Sequence, residues 1–128
     1  MRALTSFAIA LSLASSFAIA AVQAPSANVR TMAGILAKLN HFPNDAEKAT
    51  LAGIVKSDTA TAHEKTIAQA LINTQHSASA ADKPKLEAVM KDAAAPQGVK
   101  ELATVLAKLT HTASEAEKAE LSKLAMAK

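Results

Sequence analysis

Histidine returns in this chain at a fixed interval. His41, His76 and His111 are each separated by 35 residues. Three imidazoles are a donor set for Zn²⁺, Cu²⁺ or Ni²⁺, and imidazole is also the side chain whose charge changes near neutral pH. A plainer role competes with that chemistry. Each histidine falls where a helix should end, and there a protonated ring complements the helix dipole and donates to a free carbonyl. If the three segments stack side by side, equivalent positions lie roughly 10 Å apart, about one helix spacing. Ligand nitrogens on one ion must each approach it to ~2.0–2.1 Å. The expectation is therefore that the column closes helices, with metal or pH sensing through His41, His76 and His111 as the alternative. The fourth histidine, His63, has no counterpart and reads as a solvated residue at a helix start.

Other chemistries find less support. Lys48, Lys83 and Lys118 form a second column, but acids and bases interleave throughout, which reads as a solvated face. The serines beyond residue 20 and the four aspartates fall mostly at cap, helix-start and linker positions. No Gly-x-Ser-x-Gly or His-Glu-x-x-His motif is present, and Gly34, Gly53 and Gly98 are too scattered for a phosphate-cradling loop. The absence of cysteine, tryptophan and tyrosine excludes disulfide scaffolds, thiolate metal sites, a thiol nucleophile and an aromatic platform for bases or sugars. The chain is thus expected to be no enzyme and to carry no cofactor.

The elements that position these residues follow from the same interval. Without a gap, Val29 to Val55 matches Val99 to Ala125 at 12 of 27 positions, and Glu64 to Met90 falls in register between them. Ala33/Ala68/Ala103, Leu36/Leu71/Leu106, Ala46/Ala81/Ala116 and Leu51/Leu86/Leu121 are identical in all three copies, as are the histidine and lysine columns. Within a copy, Val29, Met32, Ile35, Leu36 and Leu39 recur at the 3-and-4 spacing of one helical stripe. A second helix carries Leu51, Ile54 and Val55. Between them stand cap-x-x-acid pairs: Asn44 with Glu47, Ser79 with Asp82, and Ser114 with Glu117. Thr61 with Glu64 opens the first helix of copy two in the same way. Pro84 predicts a late start, near Lys83 or Pro84, for the second helix of copy two.

The expected fold is all-α: three tandem 35-residue helical hairpins, about six short helices, stacked into one compact array. The copies span about 22–56, 57–91 and 92–128. The hairpin length resembles tetratricopeptide-type arrays in architecture only, because the aromatic and glycine signature positions of that repeat are missing.

Hydrophobic residues are 50% of the 128, but 32 are alanine, so the core is thinner than that figure suggests. Part of the apolar content also belongs to residues 1–20. Arg2 precedes an uncharged stretch ending in Ala18-Ile19-Ala20, which reads as a secretory signal cleaved after Ala20. Residues 21–128 then carry 13 basic and 11 acidic side chains. So small an excess argues against nucleic acid. The expected address is periplasmic or secreted, with membrane contact only through the signal before cleavage. The expected activity is non-enzymatic binding, through a protein-interaction or self-associating module whose terminal repeats expose apolar edges to a protein partner or a second copy.

Overall fold

The computed structural model describes residues 24–127. The signal peptide expected at 1–20 lies outside the described residues. Those residues form six helices: α1 Ala27–Lys38, α2 Asp45–Lys56, α3 Ala62–Asn73, α4 Lys83–Lys91, α5 Gln97–Lys108 and α6 Glu115–Met126. The protein is all-α, and none of the described helices is long and apolar enough to cross a membrane.

The helix starts follow the cap chemistry of the sequence. Asn44 and Ser114 each accept the N–H three residues on, from Glu47 and Glu117, whose carboxylates return to the cap N–H. Both are complete capping boxes. Thr61 accepts from Glu64 at 3.1 Å, but the Glu64 carboxylate goes elsewhere. It accepts from Ser26 Oγ at 2.9 Å and Asn28 Nδ2 at 2.8 Å, which ties α3 to the start of α1. In copy two, α4 begins at Lys83 with Pro84 in its first turn, where a missing N–H leaves nothing unpaired. Ser79 Oγ accepts the Asp82 N–H at 3.2 Å and donates to the Asp82 carboxylate at 2.6 Å, closing the turn just ahead of α4.

Packing departs from a row of hairpins. The two helices of one copy barely touch each other. The tight pairs are α2 with α3, α4 with α5, and α6 with α1, so each first helix lies against the second helix of a neighbouring copy. The α6–α1 pair closes the array into a ring, and Arg30 Nη1 donates to the Ala127 carbonyl at 3.1 Å across it. The terminal edges expected to be exposed therefore cover each other. Val29, Met32 and Leu121 are buried, and the exposed large hydrophobics among the described residues are Phe42 and Met126. The physical reason is that two apolar edges on one chain satisfy one another once three copies can curve through a full turn.

Inside the ring, α1, α3 and α5 contact one another. Their facing columns, Met32/Ile67/Leu102, Ala33/Ala68/Ala103 and Leu36/Leu71/Leu106, are completely buried. Alanine in the middle column lets three helices meet closely, while each leucine contributes about 1.5–3 kcal/mol by burial. This central trio of helices delivers its three C-terminal ends to one place.

Candidate metal centre

Each inner helix ends in the same way. Leu39, Thr74 and Leu109 are the C-caps of α1, α3 and α5, and the histidine stands two residues later. His41, His76 and His111 have φ of 70°, 65° and 65°, and they are the non-glycine residues with positive φ among those described. The left-handed region costs an L-residue roughly 1–2 kcal/mol. In copies one and three the histidine is the middle of a γ-turn, with Phe42 N–H on the Asn40 carbonyl at 2.9 Å and Thr112 N–H on the Thr110 carbonyl at 2.7 Å.

The turn conformation joins the three copies. His41 N–H donates to the His111 carbonyl at 3.0 Å, His76 N–H donates to the His41 carbonyl at 2.7 Å, and His111 N–H donates to the His76 carbonyl. These bonds form a closed cycle in which every histidine gives one and receives one. At a net ~0.5–1.5 kcal/mol each, they offset the backbone strain. A positive φ in one copy alone would have no such return.

The side chains converge on the same axis. Nδ1 of His76 stands 3.0 Å from Nδ1 of His41 and 3.1 Å from Nδ1 of His111. The ring centroids are 4.8, 5.0 and 5.2 Å apart, and the planes cross at 67°, 72° and 82°, as in a three-bladed propeller. The expected ~10 Å spacing is thus overturned. That spacing belongs to an open stack, whereas a closed ring brings equivalent turns together on its axis. Among the described residues the rings donate to no helix carbonyl, and the C-cap N–H groups turn back onto Leu36, Leu71 and Leu106.

The Nδ1 contacts are poorly satisfied by the rings alone. An Nδ1–Nδ1 contact requires one donor and one acceptor, and Nδ1 of His76 has a single proton or a single lone pair to share between its contacts to His41 and His111, so neutral rings cannot fully satisfy both. A cation would use all three lone pairs at once. Ligands at ~2.0–2.1 Å from one ion lie ~3.0 Å apart on an octahedral face and ~3.3–3.4 Å apart on a tetrahedral one. The two Nδ1 separations made by His76 match the first and come within a few tenths of an ångström of the second. No carboxylate joins the cluster among the described residues, so the donor set is neutral and all-nitrogen. His41 is half-buried while His76 and His111 are exposed, which leaves further coordination positions open to solvent.

The remaining candidates fall elsewhere. His63 is not a free solvated residue: its Nε2 is 2.8 Å from the Asp92 carboxylate, linking the start of α3 to the α4–α5 connection. The Ala94 N–H, followed by the His63 ring, holds the Asp92 carboxyl below its usual range. Lys118 pairs with Glu115 at 3.0 Å, and Lys48 lies 5.8 Å from the centre of the Phe42 ring. Glu64, which the sequence marked only as a capping acid, is nearly inaccessible and acts as a clasp between copies. Its place in a column occupied by Val29 and Val99 was the available signal.

No protein-family model, curated protein or solved structure matches the chain.

Proposed function

We propose that this protein binds a first-row divalent transition metal ion, Zn²⁺, Cu²⁺ or Ni²⁺, through Nδ1 of His41, His76 and His111. The observation that carries the reading is the pair of 3.0 and 3.1 Å Nδ1 separations on three turns that share a strained positive φ. Backbone strain repeated at one point is a reason to look for function there. Imidazole donors without carboxylates favour these borderline ions over Ca²⁺ or Mg²⁺.

The activity is binding without catalysis, one ion per chain. Together with the export signal expected at residues 1–20, this reading supports metal capture, buffering or sensing outside the cytoplasm. Self-association through the terminal repeats loses its basis once α1 and α6 cover one another, so a protein partner would have to use another surface.

Calorimetric titration of residues 21–128 with Zn²⁺, Cu²⁺ and Ni²⁺ tests the reading. One equivalent should bind wild type, and the His41→Gly, His76→Gly and His111→Gly variants should each lose at least ~100-fold in affinity. Loss of an outer-shell partner alone typically costs 10–100-fold, and these are direct ligands. Equal titration curves for wild type and the variants would end the proposal.

A further inference from the structure

Three departures from the repeat coincide beside the histidine cluster. Phe42 replaces what is Ser77 in copy two and Thr112 in copy three. Ile72 replaces Ala37 and Ala107, and Thr74 replaces Leu39 and Leu109. All three line one cavity of about 270 Å³, together with Lys48, Gln75 and His76. It lies between the turn of copy one and the turn of copy two. The equivalent positions at the other two junctions carry Ser77 with Ala107 and Thr112 with Ala37, and so lack this large apolar wall.

Each departure has a physical consequence. Thr74 is shorter than leucine, and its hydroxyl is absorbed by the Ala70 carbonyl at 2.8 Å, so it makes room without leaving a buried donor unpaired. Phe42 is 55% exposed, an aromatic surface that the core does not use. Ile72 adds a branched apolar wall to the same cavity. Lys48 supplies a positive charge near the Phe42 ring. His76 is both a wall of the cavity and a member of the trihistidine cluster.

From this we infer that the cavity is a subsite for a small carboxylate with an apolar body. The carboxylate occupies the open face of the metal ion within reach of the Lys48 ammonium, and the apolar body lies between Phe42 and Ile72. The inference rests on the metal reading, since a divalent ion on three neutral ligands keeps its full positive charge and attracts an anion. The volume sets the size class, below the roughly 300–1,000 Å³ of pockets that take drug-sized molecules.

Co²⁺ loading makes the test direct, because its visible absorption responds to the coordination sphere. Calorimetry first establishes one bound Co²⁺. Benzoate, acetate and benzamide are then titrated into the loaded wild type, the Phe42→Thr/Ile72→Ala double variant and Lys48→Gln. The double variant uses residues the chain already carries at equivalent positions, so its fold is expected to survive. Benzoate should perturb the wild-type bands at concentrations at least tenfold below acetate, and benzamide should not perturb them. The double variant should lose the preference for benzoate while keeping its response to acetate, and Lys48→Gln should weaken both carboxylates. Equal responses to benzoate and acetate, or a double variant indistinguishable from wild type, would overturn the subsite and leave metal binding standing. Failure of Co²⁺, Zn²⁺, Cu²⁺ and Ni²⁺ alike to bind in the calorimetry would overturn both.

Discussion

His76 Nδ1 lies 3.0 Å from His41 Nδ1 across 35 residues of sequence, and a hydrogen bond from the His76 N–H to the His41 carbonyl fastens the backbones of the same two residues. The contact exists because both residues hold φ near +65 to +70°. Ligand geometry and backbone strain are therefore one feature. A substitution can remove the imidazole and keep the turn, or remove both.

The first prediction separates those effects. Glycine adopts positive φ without steric cost, so His76→Gly should keep the thermal midpoint within a few degrees of wild type while abolishing the metal response. A β-branched residue is a true outlier in that region. His76→Val should lower stability by ~1–2 kcal/mol, a loss of ~4 °C or more in Tm for a domain of this size. Thermal melts of the apo proteins check this, and equal midpoints for the two variants would contradict a strained turn.

What the sequence made legible and what it hid divide along local and non-local physics. The stripe of Met32, Ile35, Leu36 and Leu39 announces a helix because its spacing is a local property. Asn44 with Glu47 announces a helix start for the same reason, and Pro84 marks where α4 can begin. A stripe says which face is buried, however, and not against which helix, so the pairing of α2 with α3 and of α6 with α1 lay beyond it. The histidine column was visible as chemistry. Its convergence was not, because it depends on ring closure and on a left-handed backbone that glycine would have advertised and histidine does not.

Ring closure makes its own prediction through two glycines. A Cβ on Gly98 would stand 3.1 Å from both Leu124 Cδ1 and Val29 Cγ1, where copies one and three meet, whereas one on Gly53 would meet nothing within 4 Å. Gly98→Val should overpack that junction and cost ~1–3 kcal/mol. Gly53→Ala, in the interior of α2, should stabilise by ~0.5–1 kcal/mol through helix propensity and a less flexible unfolded chain. Urea unfolding of the two variants reads both signs. A neutral Gly98→Val would favour an open array in which Val29 is not a neighbour.

Acid should weaken the fold through Asp82. Burial pushes this carboxyl up, but hydrogen bonds from Ser79 and Asn73 and the Lys85 ammonium outweigh it and hold it below the usual value near 3.8. A depressed folded-state value means that the ionised form stabilises the fold. That contribution is complete above the unfolded-state value and is lost as pH falls through the folded one, so the window lies below about pH 4. Asp82→Asn should be less stable than wild type at pH 6, and the gap should narrow as pH falls below 4. A gap that stays constant from pH 6 down to 3 would show that ionisation of Asp82 contributes nothing.

The central claim is that three specific nitrogen atoms hold one ion. It is tested most directly by nuclear magnetic resonance of ¹⁵N-labelled histidine side chains during titration with Zn²⁺. One equivalent should move the Nδ1 resonances of His41, His76 and His111 together, leave their Nε2 atoms protonated, and leave His63 in place. Saturation at one hundred times Kd should also add about 2.7 kcal/mol of stability. Shifts at Nε2, shifts confined to His63, or no change at one equivalent would contradict the account.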